Sequence, residues 1–329
     1  MFRHPAILSV AVVASVLAGA FAASAQPQAT WSMAAPLPVV RSEMRAATVN
    51  GKIYLIGGAW TEMKDGQAVE NYTTGFTTEF DPKTNAWREL KRGPEGLTHQ
   101  ALAVLNGKIY VAGGFAGSRH TLSSSGVYVY DPATDTWQTL PPLSGRRGGL
   151  ALAAVGGKLH AIGGRETGDV TFPIHQVFDP ATNRWGNAAP MATSRDHAGA
   201  FVVDGKIHIV GGRLGETAAN VGVHDIYDPV TDSWTSAPPL PTARSSSAHV
   251  EYRGLLFFAG GECRVGGGTF NEVEAYDLKT KAWVKFPALP RGRHAFAAAV
   301  ADDKLFFFGG SLQCGGGGKV AETLQLTLR

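Results

Sequence analysis

The chain has 329 residues, 44% apolar and 17% charged, which is enough apolar material for a sizeable core. Its net charge is only +3, which excludes a basic sheath for nucleic acid or an anionic membrane, though not a local patch. Glycine (41) and proline (18) are abundant without a collagen-like period, so they punctuate many turns. Taken in chain order, residues 1–25 come first and read as a secretory signal peptide. Arg3 and His4 give a basic start, Ile7 to Phe21 is apolar, and Ala23-Ser24-Ala25 is a small-residue cleavage site. The apolar run falls short of the ~20 residues a membrane span needs. Cleavage after Ala25 is expected to leave residues 26–329 as one exported domain, periplasmic or secreted, without a membrane span.

From Trp31 onward one pattern recurs about every 49 residues, a period that signals a repeat architecture. Six apolar runs end in Gly-Gly, at 57–58, 113–114, 163–164, 211–212, 260–261 and 309–310. Each follows a turn dipeptide: Asn50-Gly51, Asn106-Gly107, Gly156-Gly157, Asp204-Gly205, Arg253-Gly254 and Asp302-Asp303. Most of these residues tolerate positive φ, as two-residue hairpins require. After Gly-Gly comes a variable loop, then a strand entering a turn at Asp81, Asp131, Asp179, Asp228 or Asp277. Trp87, Trp137, Trp185, Trp234 and Trp283 follow six residues later. Each unit is thus a four-stranded antiparallel meander. The sixth lacks its Trp strand, and Trp31 opens a segment, WSMAAPLP, that matches WTSAPPLP at 234–241. An N-terminal strand that completes the last sheet would close the ring.

These residues resemble the Kelch repeat family, with Gly-Gly after an apolar run, then Tyr or Phe, then Trp, over residues 31–329. The resemblance implies an all-β fold, a six-bladed β-propeller of four-stranded antiparallel blades. Propellers host binding modules and enzymes alike.

Alternating connections place the segment entering each inner strand and the loop after Gly-Gly on one face. That face is rich in arginine. Candidate ligand-binding residues are Arg45, Arg147, Arg165, Arg195, Arg213, Arg244, Arg293 and His294, whose guanidinium forks would suit an anionic or polyhydroxylated ligand. The competing expectation is that these arginines brace strand ends. Arg119 lies in the same loops. Ala59–Glu79 is a longer insertion, either a lid or a tolerated surface loop. Cys263 and Cys314 lie at similar offsets in adjacent repeats and suit a disulfide in an exported chain, with free thiols the alternative.

Two functions follow. One is a non-catalytic module recognising a glycan, a peptide or a protein partner. The other rests on similarity to the periplasmic sialic acid mutarotases, exported six-bladed Kelch proteins that need no cofactor or metal. Mutarotation takes a general acid and base. Glu216 or Glu262 would be the base, Arg213 would hold a carboxylate, and His197 or His294 would shuttle protons. His160 and His208 stand where sister repeats carry Tyr or Phe, so they are expected to pack. Glu216, Asn220 and His224 resemble the iron-holding run of plant Kelch specifier proteins, with Asn replacing the middle Asp. The paired histidines and Tyr–Cys cross-link of a galactose-oxidase-type copper site are not matched.

Overall fold

A computed structural model describes residues 28–328 except 66, 72–74 and 118–120; the expected leader and Arg119 lie outside the described residues. All six turn dipeptides close hairpins with both residues at positive φ, from Asn50 (50°) and Gly51 (74°) round to Asp302 (50°) and Asp303 (55°). This backbone matches the right-handed twist of the strands it joins. The sixth turn does without glycine because the Asp303 carboxylate has work of its own. It accepts a hydrogen bond from the Tyr252 hydroxyl at 2.7 Å and pairs with Arg253.

Each hairpin is the inner half of a four-stranded antiparallel sheet. The first blade runs Arg45–Val49, Lys52–Ile56, Thr77–Asp81 and Ala86–Glu89. Four more blades repeat this order, with inner strands beginning at Ala101, Ala151, Gly199 and Ala248. The sixth, Ala297–Ala301, Lys304–Phe308 and Thr323–Leu328, takes its outer strand from Ala29–Ala34, with Trp31 opposite Leu326. The fold is therefore a six-bladed propeller closed by its N-terminal strand, as the repeat pattern predicts. The long first-blade insertion forms a hairpin, Ala59–Lys64 with Gln67–Asn71, laid beside Arg41–Ser42.

The apolar core is divided into six wedges, each between two neighbouring blades. Two sets of hydrogen bonds hold the wedges shut. The second glycine of each Gly-Gly donates its N–H to a carbonyl of the next blade: Gly58 to Leu97, Gly114 to Arg147, Gly164 to Arg195, Gly212 to Arg244, Gly261 to Arg293 and Gly310 to Arg41, at 2.8–3.1 Å. The first glycine must lack a side chain for that carbonyl to approach. A Cβ on Gly260 would lie 2.3 Å from the Arg293 oxygen, and its φ of 61° is left-handed besides. Nearer the rim, every repeat tryptophan donates its indole N–H to the preceding blade. Trp87 reaches Ala35, Trp185 reaches Pro141, and Trp31 reaches Pro287 across the closure, at 2.8–3.2 Å.

His160 and His208 lie inside the blades, as expected. In blade three His160 Nδ1 meets His175 Nε2 at 2.9 Å, and in blade four His208 meets His224 in the same way. His175 and His224 donate their own Nδ1–H to the carbonyls of Ala189 and Pro238. Each pair packs on an aromatic ring of the next blade, Tyr227 or Tyr276. Burial pushes all four imidazoles down to about 4. The unfolded chain therefore takes up protons first as pH falls below the ordinary histidine value of 6.5, and stability is lost between pH 6.5 and 4. Blade five carries Phe257 and Val273 at the two positions. We expect the urea midpoint to fall across that pH window, and the double substitution His208→Phe with His224→Val to flatten the fall. An unchanged slope in equilibrium unfolding curves would contradict this.

Candidate functional site

The mouth of the propeller is framed by backbone. The residue two positions before each inner strand adopts a left-handed conformation: Glu43 (60°), His99 (54°), Gly149 (63°), His197 (55°), Ser246 (51°) and Ala295 (56°). Each donates its N–H to the carbonyl of the equivalent residue in the preceding blade. The chain Glu43 to Ala295, His99 to Glu43, Gly149 to His99, His197 to Gly149, Ser246 to His197 and Ala295 to Ser246 closes on itself, at 2.7–3.2 Å. Repetition thus builds a rigid hexagonal collar whose side chains are free to differ from blade to blade.

Those side chains and the residues just after Gly-Gly form the site. Glu43 accepts from His99 Nε2 at 2.8 Å. The His99 and His197 rings meet edge to face with centroids 4.9 Å apart, over Gly149, where a Cβ would lie 2.8 Å from His197 Nδ1. His197 Nδ1 is bonded to Asp196. Arg213 joins the two halves: its Nε donates to Asp196 at 3.1 Å, and its Nη1 to Glu262 at 2.6 Å. Arg165 pairs with Asp169. Burial pushes the Asp196 carboxyl up to about 6, against the pull of Arg213 and Arg165. Glu262 goes the other way: burial opposes its charge, but His294 and Arg213 hold it below the ordinary range.

Above the collar is a cavity of about 620 Å³, lined by Glu43, His99, Arg165, Asp169, Arg213, Glu262 and Lys319 among others. That volume is typical of small-molecule sites. Three carboxylates face three cations, so the lining is balanced rather than basic. One wall is the glycine run Gly315–Gly317. The expected disulfide fixes it. Cys263 and Cys314 are bonded, with Cα atoms 5.3 Å apart, and the adjacent Gly315 N–H donates to Glu262 at 3.2 Å. Glu262, Cys263 and Cys314 lie close enough for a metal, but the two sulfurs are joined to each other and offer no thiolate.

The expected arginine cluster divides in two. Arg165 and Arg213 reach the cavity. Arg147, Arg195, Arg244 and Arg293, with Arg41, are 1% exposed and act as braces inside their blades. Arg147 donates to the Gly163 carbonyl and to Gln176, Arg195 to Gly211 and Asp225, Arg244 to Phe258 and Glu274, and Arg293 to Gly309 and Glu322. Their terminal nitrogens are taken up by their own blades, so these four act as braces and not as the ligand-binding residues expected. Arg45 lies below the collar in the central channel.

Among the proposed acids and bases, only Glu262 lines the cavity. Glu216 is exposed in the loop after Gly211-Gly212 and is not among the lining residues, although its neighbour Thr217 is. His197 sits one layer down, against Asp196. His294 is fully buried, with Nε2 2.9 Å from the Gln313 carbonyl and Nδ1 3.8 Å from Glu262. The run Glu216, Asn220, His224 does not converge. Asn220 donates to backbone of Glu262 and Cys263, while His224 is engaged with His208. Glu43 and His99 are legible as polar residues of the segments entering the inner strands but were not proposed as site residues, and Asp169 and Lys319, each present in one blade alone, were not picked out at all.

A closed collar of left-handed residues, Gly-Gly inter-blade bonds and a tryptophan at each rim define a Kelch-type propeller with a polar mouth. Residues 141–310 match the KLHDC2/KLHL20/DRC7 Kelch-repeats domain, and residues 40–94 and 97–144 match Kelch motifs. The chain belongs to the Kelch-repeat family. It is 32% identical over 148 residues to the Kelch-like protein terF of Aspergillus terreus, covering 43% of this chain and 31% of that protein. It is 31% identical over 123 residues to Kelch-like protein 33 of Homo sapiens, covering 37% and 21%. The matches thus span less than a third of these relatives. The solved structure of YjhT superposes with a TM-score of 0.75 over 91% of this chain and 100% of that chain, at 16% identity, a likeness of fold.

The brace assignment has a direct check. Arg244→Met leaves Glu274, 1% exposed, as an unpaired buried charge, so we expect a loss of about 3 kcal/mol in equilibrium unfolding. Adding Glu274→Leu should recover most of it. Full stability in the single variant would count against a brace.

Proposed function

We propose that this propeller is a recognition module that binds a small polyhydroxylated ligand, a sugar or sugar derivative, in the mouth cavity. The observation that carries this is the balanced lining. Three carboxylates and three cations, already paired in part with one another, present donors and acceptors side by side. Hydroxyl groups, which donate and accept at once, suit such a surface better than a bare anion does. The proposal also has the chain exported and cut after Ala25, leaving residues 26–329 as the propeller domain; the mass of the exported protein tests the cut.

A second reading is a cofactor-independent isomerase that opens and closes a sugar hemiacetal ring. The Glu43–His99 pair favours it, since it puts a carboxylate and an imidazole in hydrogen-bond contact at the cavity wall. Calorimetric titration with neutral sugars and sugar acids separates the outcomes. Binding that weakens at least about tenfold in Arg213→Ala and Glu262→Gln, each losing a charge-assisted bond, supports the site. Acceleration of anomer exchange by proton NMR, lost in His99→Ala, supports the isomerase. If no sugar binds and partners are captured through the outer loops instead, the mouth is not the site.

A further inference from the structure

Among the arginines expected to bind ligand, Arg45 is the one that neither braces a blade nor lines the mouth cavity. It opens the inner strand of blade one, paired with Ile56. The five equivalent positions, each opposite the residue before Gly-Gly, are Ala101, Ala151, Gly199, Ala248 and Ala297. One blade thus places a long cation where all the others carry small residues, and those small residues leave the room that the guanidinium enters. Directly beneath the collar lies a cavity of about 80 Å³, walled by the first residues of five inner strands and, in blade four, by Ala198 and Ala200. Its lining holds Arg45 and His249, and every other lining residue is Ala, Leu or Phe.

We propose that this channel binds one small monovalent anion, chloride or a short carboxylate, at the Arg45 guanidinium. The charge is on one side of the ledger only. No described residue accepts a hydrogen bond from the Arg45 guanidinium. The carboxylate that acts on it through space, Glu43, is held by His99 above the cavity. Burial lowers the Arg45 guanidinium from its ordinary value, the mark of a cation without adequate counter-charge. His249 comes from blade five, with blade six between it and Arg45 in the ring, and both residues line the channel. Burial first, and then the Arg45 charge, pushes His249 down to about 3. Its Nδ1 lies 3.3 Å from the Ser247 carbonyl and its ring stacks on Phe258. That contact points Nδ1–H at the carbonyl and leaves Nε2 unprotonated, an acceptor, so the imidazole is part of the wall and the anion's hydrogen bonds come from Arg45. Each inner strand is also the edge of its sheet, so unpaired backbone N–H groups face the channel as further donors. The volume suits an ion with a few waters, and no larger ligand.

The site does not depend on the identity of the mouth ligand, and bromide alone probes it. Crystals of the exported chain soaked in sodium bromide should show an anomalous peak within hydrogen-bond reach of Arg45; an empty channel overturns the proposal. In solution, exchanging gluconate for chloride at constant ionic strength should raise Tm by about 3 °C or more, because only the folded state binds the ion. Arg45→Met should abolish that rise while leaving sugar titration of the mouth unchanged. An equal chloride response in Arg45→Met and the parent protein overturns the proposal. Should Arg45→Met not fold, Arg45→Gln, which removes the charge but keeps a polar side chain and should lose most of the chloride response, and the bromide peak decide the matter.

Discussion

The N–H of the second glycine in each Gly-Gly pair, given to a carbonyl of the next blade, is the contact on which the remainder of this molecule depends. A blade cannot bury its own faces; it is a thin sheet whose apolar side chains need a neighbour. The six wedges of core exist only if neighbouring sheets keep one spacing and one angle. The glycine bond sets that spacing near the axis, and the tryptophan indole bond sets it near the rim. Together they turn a repeated sequence into a circle. The buried arginines belong to the same system. Each ties the segment before an inner strand to the middle strands of its own blade, which holds the acceptor carbonyl in place.

A repetitive ring brings six versions of one position to one place, and function arises where the versions differ. At the collar the backbone is identical in all six blades, whereas the side chains run Glu43, His99, Gly149, His197, Ser246 and Ala295. Gly149 is the gap that lets the two histidine rings meet. Arg213 is tied to carboxylates from two blades, Asp196 and Glu262. Most of the charge in the mouth is therefore already balanced, and the cavity is polar without being strongly basic.

Much of the architecture was legible in the residues, because it is stated six times over: turn dipeptides, Gly-Gly, Asp turns and tryptophans in constant register. The site was harder to read for the same reason. Arg147, Arg195, Arg244 and Arg293, with Arg41, recur four residues ahead of the inner strands of five blades, Leu97 taking the place in blade two, and such recurrence marks a part of the frame. The residues that line the mouth break the register. Glu43 and His99 appear once each, and no single repeat distinguishes them from loop residues. The disulfide was legible from matching offsets in adjacent repeats, but its task of holding Gly315 against Glu262 belongs to tertiary geometry.

Closure by the Ala29–Ala34 strand has a consequence for the order of assembly. Five of the six inter-blade seams join segments close together in the chain, and they are available as soon as two successive repeats have been made. The sixth waits: Trp31 emerges early, and its partners at Leu324–Leu328 are among the last residues made. Until they meet, the open stack exposes a phenylalanine-rich edge at Phe306 and Phe308, and a bare first strand drifts nearly three hundred residues from its mate. The propeller is therefore a structure that grows by local steps and is completed by a single long-range one.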